Sequence, residues 1–181
     1  MNKYAITLIA SVLGLAAAGA HAADVGDGTL TINGKLTAAT CTVSGNGQGK
    51  DFTVTLPTLS AQTLSSAGAT AGSTGFSIAL TNCTPATGNV HTFWQYGANT
   101  LADGNLKNNG SAGNVEVQLV DYNGTPATID VSKADGAQNS QTAAIASGAA
   151  NLKYAAQYVS PAGSATAGDV TTSVTYSMSY Q

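Results

Sequence analysis

The feature that most constrains this chain is a two-residue alternation that runs up to its penultimate position. Val170, Thr172, Val174, Tyr176, Met178 and Tyr180 share one parity, and the residues between them are all Ser or Thr. Successive side chains of a strand point to opposite faces, so such a row makes one face of a β-strand and no helical stripe. Chain ends are usually frayed and polar. A one-sided row that reaches the end of the sequence therefore needs a cover.

The same period recurs along the chain. Leu30, Ile32 and then Leu36 share a face of a Thr-rich segment. Phe52, Val54 and Leu56 alternate up to Pro57, and Phe76, Ile78 and Leu80 alternate up to Cys83. Val90 to Tyr96 is β-branched and aromatic; Val115, Val117 and Leu119 alternate, as do Leu152, Tyr154, Ala156 and Tyr158. Asp103-Gly104, Asn109-Gly110, Asn123-Gly124 and Asp135-Gly136 supply turn signals between the runs. Short alternating runs with such punctuation predict an all-β sandwich. The Ala/Ser/Gly/Thr-rich stretches 58–73 and 134–150 read as loops, the second with room for a short helix.

Charge and composition exclude whole classes of function. Only 8 % of the residues are charged, the net charge is −3, and the six basic residues are scattered lysines. Nucleic acid and anionic membranes require a concentrated basic footprint, which is missing. A hydrophobic fraction of 43 % is enough for a core. Lys3, the uncharged apolar run 5–20 and the small-x-small triplet Ala20-His21-Ala22 read as a secretory signal peptide over residues 1–22.

Export bears on Cys41 and Cys83, the only cysteines. In an oxidising compartment two cysteines most simply form one disulfide. The alternatives are a reactive thiol or a metal site, and the latter has too few ligands with His91 as the one histidine beyond residue 22. Catalytic chemistry is thinly represented. His91 lies in a strand-like segment without a nucleophile elbow, and structural placement is its ordinary reading. Most carboxylates sit at turn signals, and Glu116 faces solvent by parity. Gly45-Asn46-Gly47-Gln48-Gly49 lacks the Lys-Ser/Thr ending of a phosphate loop and reads as a hairpin. No cofactor is implied.

The N-terminal side of the predicted mature chain mirrors the C-terminal row. Gly26, Gly28, Leu30 and Ile32 alternate on one face from just after the cleavage site. Here the residues match a known family. The run Gly28 to Gly34 followed by Cys41, the run Gly75 to Cys83, the runs Asn114 to Asp121 and Leu152 to Tyr158, and the positions of Gly168 and Tyr180 come in the family's order. Over essentially the whole mature chain it resembles the pilin subunits of chaperone–usher fimbriae, in particular the type 1-like shaft protein.

The resemblance implies an incomplete immunoglobulin-like sandwich that lacks its last strand and is completed by donor-strand exchange. It divides the chain into signal peptide 1–22, donor extension 23–33 and pilin domain 34–181. Gly26, Gly28, Leu30 and Ile32 would insert into a neighbour; Gly168, Val174, Tyr176, Met178 and Tyr180 would form the acceptor groove and the chaperone contact. Expected partners are other pilin subunits in a head-to-tail filament, a periplasmic chaperone and an outer-membrane usher, with no nucleic acid. The expected place is the cell surface, in a fimbrium that supports adhesion. Competing readings are a minor pilin or tip adaptor, and a secreted carbohydrate-binding module in which Trp94 and Tyr96, on one face by parity, stack against sugars.

Overall fold

Alternating apolar residues become strands wherever a neighbouring strand is present to take their main-chain hydrogen bonds. In the computed structural model, which describes residues 30–34, 36 and 38–181, the chain divides into two units, residues 1–35 and 36–181. In the first, residues 30–34 carry no regular secondary structure, and Leu30 and Ile32 are each 83 % exposed. The signal segment 1–22 and the positions Gly26 and Gly28 lie outside the described residues.

The second unit is all-β. Its strands are β1 (Thr40–Gly45), β2 (Ala69–Thr84), β3 (Gly88–Trp94), β4 (Leu106–Lys107), β5 (Glu116–Asp121), β6 (Ala127–Thr128), β7 (Ala143–Ile145), β8 (Ala150–Ser160) and β9 (Tyr176–Tyr180). One sheet has the order β1-β2-β8-β5-β4, with β6 also paired to β5; the other has the order β7-β3-β9. All pairings are antiparallel. Ile78, Leu80, Leu119 and Leu152 from the first sheet meet Val90, Trp94 and Ile145 from the second in one core cluster. The Tyr154 hydroxyl crosses between the layers to donate to Thr92 Oγ1 at 2.8 Å. Burial pushes that phenol up to about 12, so it stays a donor. Each fully buried aliphatic contributes about 1.5–3 kcal/mol.

Cys41 and Cys83 are bonded to each other, tying β1 to the end of β2. Their bond sits next to the register shift between Thr40 and Thr42.

Several sequence expectations change at this level. The stretch 58–73 is not all loop: Ser60 caps a 3-10 turn at Ala61–Leu64, and β2 already starts at Ala69. Its small residues carry no hydrophobic period, but their main chain pairs with β8 from Ala69↔Ser160 onward. The stretch 134–150 holds β7 and no helix. Glu116 is half-buried rather than solvent-facing, because β4 pairs beside it and brings Asn105 Nδ2 within 3.0 Å of its carboxylate. Burial, opposed by that hydrogen bond, raises its pKa above the ordinary value. Most important, Phe52–Leu56 and Val170–Val174 alternate as read but belong to no strand.

Candidate strand-binding groove

Those two unladdered segments are the walls of an open groove. On the first wall, residues 169–175 are fastened along one side only. Ala112 N–H donates to the Asp169 carbonyl at 3.0 Å and Asn109 N–H to the Thr171 carbonyl at 2.8 Å. Thr171 N–H donates to Asn108 Oδ1, Asn99 Nδ2 donates to the Ser173 carbonyl, and Gln95 N–H donates to the Thr175 carbonyl. From Tyr176 onward the wall continues as β9 against β3, with Trp94↔Tyr176 and Val90↔Tyr180 in register. On the opposite side the main chain of Val170, Thr172 and Val174 has no partner among the described residues. β9 is likewise the last strand of its sheet.

The second wall is its counterpart. Phe52, Val54 and Leu56 are half-buried, and Asp51, Thr53 and Thr55 between them are exposed. Only Thr53 is tied back, by the Gln48 side chain, which accepts its N–H at 3.2 Å and donates to its carbonyl at 3.0 Å. β1, the edge strand of its sheet, supplies Val43.

Two glycines set this geometry. At Gly168, with φ of +156°, a side chain would collide with the main chain of Ser111 and Ala112, so glycine lets the first wall dock there. At Gly45 a side chain would occupy the place of the Phe52 ring.

The floor is aromatic. Trp94 is 2 % exposed and packs edge-on to Phe76 and Tyr154, with centroids 6.3 and 5.3 Å away. Phe52 and Tyr176, one from each wall, meet edge-on at 5.8 Å. Three consecutive cavities of about 410, 550 and 560 Å³ follow the walls. The first two share Phe52, Trp94 and Val174; the last two share Tyr158, Val170 and Thr171.

Gly168, Val174, Tyr176 and Met178 line this groove. Tyr180 sits beyond the cavities, half-buried against the core. Burial raises the Tyr176 and Tyr180 phenols above the ordinary range, and the nearby Asp51 adds to the effect at Tyr176. Sequence reading missed the second wall altogether. The alternation of Phe52, Val54 and Leu56 was its signal, and it reads identically for a paired strand and for one awaiting a partner. Trp94 is buried in the floor, so it offers no face to a sugar, and Tyr96, past the end of β3, is exposed.

The remaining polar cluster does not assemble a reaction centre. His91 Nε2 is 2.6 Å from Asp135 Oδ1, and the Ser179 hydroxyl donates to Asp135 Oδ2 at 2.9 Å. The serine bonds the carboxylate and not the imidazole, so no proton relay to a nucleophile exists there. Among the described residues no group of three or more His, Cys, Asp or Glu side chains could hold a metal.

The geometry thus presents a long, open, apolar groove flanked by two segments that belong to no strand. Residues 56–181 match the family described as Type-1 fimbrial protein, A. The chain is similar to the major fimbrial subunit SMF-1 of Stenotrophomonas maltophilia (strain K279a), with 46 % identity over 91 % of this chain and 98 % of that protein. It is similar to the F17 fimbrial protein of Escherichia coli, with 43 % identity over 94 % of this chain and 97 % of that one. It is 34 % identical to the minor fimbrial subunit HifD of Haemophilus influenzae, over 85 % of this chain and 74 % of HifD. The chain belongs to the type-1 fimbrial protein family. It is a structural subunit of the cell-surface fimbrium, not an enzyme, and its partners are related subunits.

Proposed function

We propose that the groove receives the N-terminal segment of a second copy of this chain, residues 23–33, as the missing strand of the sandwich. The observation that carries this reading is the pair of facing rows, Phe52, Val54 and Leu56 on one wall and Val170, Thr172 and Val174 on the other, half-buried and with no main-chain partner among the described residues. A strand laid between them bonds to both edges and buries both rows, which is β-strand addition. Lengths agree: segments 23–33 and 170–180 each extend to roughly 36 Å. Leu30 and Ile32, uncovered in their own chain, are the apolar members of the incoming face, and Gly26 and Gly28 precede them at the same parity. Donor and acceptor are different surfaces, so the contact is head-to-tail and propagates an open filament.

An open apolar groove with free strand edges is an aggregation hazard before assembly. The reading therefore includes a periplasmic chaperone that lends a strand along Gly168–Tyr180, and an outer-membrane usher at which the exchange occurs. Residues 1–22 are the export signal and residues 34–181 the pilin domain. The higher identity and fuller coverage of the major subunit SMF-1, compared with HifD, favour the shaft over a minor position, and the fibre serves adhesion.

Replacing Leu30 and Ile32 together by Asp tests this. Each carboxylate buried in an apolar groove costs several kcal/mol even after the surroundings relax. The variant is expected to fold and accumulate in the periplasm but to add no subunit as donor, read by electron microscopy and by mass analysis of shed fibres. Normal fibres with the variant at interior positions would refute the donor role.

A further inference from the structure

Two polar atoms in the groove have no partner. Trp94 is almost wholly buried, yet its indole Nε1–H makes no hydrogen bond among the described residues, and the Thr172 hydroxyl is buried and equally unpartnered. Both residues line the same middle cavity, between Val170 and Val174 on one wall and Phe52–Leu56 on the other. The rings around Trp94 belong to Phe76, Tyr154 and Tyr176, and aromatic faces accept a hydrogen bond only weakly. Thr172 also interrupts a row otherwise made of Val, Tyr and Met, although valine would fill nearly the same space. Buried donors and acceptors are almost always paired in a finished structure, so these two mark the place where this one is unfinished.

We infer that the strand filling the groove brings a hydrogen-bonding group to Trp94 and Thr172, and that in a second copy of this chain the group is the main chain at Gly28. This rests on the donor-strand reading above. Leu30 or Ile32 placed over the two atoms would seal them away from any partner. A glycine has no side chain there and leaves room for the incoming carbonyl, or for one water held by it, to accept the indole proton and bond the hydroxyl. The consequence is selectivity. The groove disfavours a wholly aliphatic strand, and a slip that brings Leu30 over Thr172 leaves both polar atoms unpaired.

Trp94 is the single tryptophan of the chain, so ultraviolet resonance Raman of the indole N–H band reads this site alone in intact fibres. A hydrogen-bonded indole is expected in fibres of the full chain and an unbonded one in fibres of Gly28→Ala. Thr172→Val supplies an independent readout. It removes a hydroxyl that is orphaned in the empty groove, yet fibres are expected to dissociate in denaturant roughly fivefold faster, because the bond made on filling is lost. If Gly28→Ala prevents assembly, the Thr172→Val rates decide. An unbonded indole in wild-type fibres, or Thr172→Val fibres that dissociate no faster, overturns this inference and leaves the groove reading standing. Fibres that form without residues 23–33 overturn the reading beneath it.

Discussion

The Tyr176 hydroxyl donates to the Lys50 carbonyl at 2.7 Å, joining the two walls of the groove at one end. Lys50 precedes the Phe52–Leu56 wall and Tyr176 opens β9, so this contact spans 126 residues of sequence. With the Phe52–Tyr176 ring contact beside it, it braces the two walls directly. Burial raises this phenol above its ordinary value.

Tyr176→Phe removes the brace and keeps the ring. The unfilled subunit is expected to lose about 1 kcal/mol, the ordinary net worth of one hydrogen bond, in urea or thermal unfolding. An unchanged midpoint would mean that the walls are positioned by the floor alone.

The Cys41–Cys83 bond closes a loop with a sequence separation of 42. The chain-entropy model assigns about 4 kcal/mol to a loop of that size, a large share of the stability of a domain like this one. Cys41→Ser with Cys83→Ser is expected to lower both the unfolding midpoint and the periplasmic yield. A double variant with wild-type yield and midpoint would show the bridge to be dispensable.

A third expectation concerns acid. Burial works to raise the pKa of Asp135, but the hydrogen bonds from His91 and Ser179 outweigh it and hold the carboxyl below its ordinary value of 3.8. A folded-state pKa below the unfolded one gives stability that is complete above 3.8 and is lost as pH falls through the folded value. Ser179 belongs to β9 and His91 to β3, so the carboxylate ties β9 to β3. Asp135→Asn is expected to be less stable than the wild type at pH 5–7 and equal to it in strong acid, measured as urea midpoints across pH. The carboxylate is partly exposed, so the difference is modest. A constant difference down to the lowest pH would remove the ionic contribution.

How much of this was legible in the sequence depends on where the hydrogen bonds go. Runs such as Phe76–Leu80 and Leu152–Tyr158 were readable because both sides of their strands are paired within the chain, so alternation and pairing coincide. The C-terminal row was readable as one face of a strand. What could not be read was that half of it, Val170–Val174, and the whole of Phe52–Leu56 alternate without a ladder, since side-chain period reports burial and says nothing of the main-chain partner. Ala69–Thr74 failed in the opposite way: its residues are too small to show a period, but their main chain pairs with β8 on either side of a register shift between Ala71 and Thr74. The orphaned Trp94 indole and Thr172 hydroxyl had no sequence signal beyond a threonine standing in a row of larger side chains.

On the proposed function, the free edges facing each other across the groove become paired by a strand from another copy. Hydrogen–deuterium exchange of the amides of Val170, Thr172, Val174 and Tyr176 tests it most directly, comparing unassembled subunit lacking residues 23–33 with assembled fibres. Fast exchange of these four amides is expected in the unassembled subunit and protection in fibres, approaching that of the β2–β8 ladder, while Thr171, already bonded to Asn108, changes little. Amides of Val170, Thr172 and Val174 that exchange as fast in fibres as in the isolated subunit would contradict it.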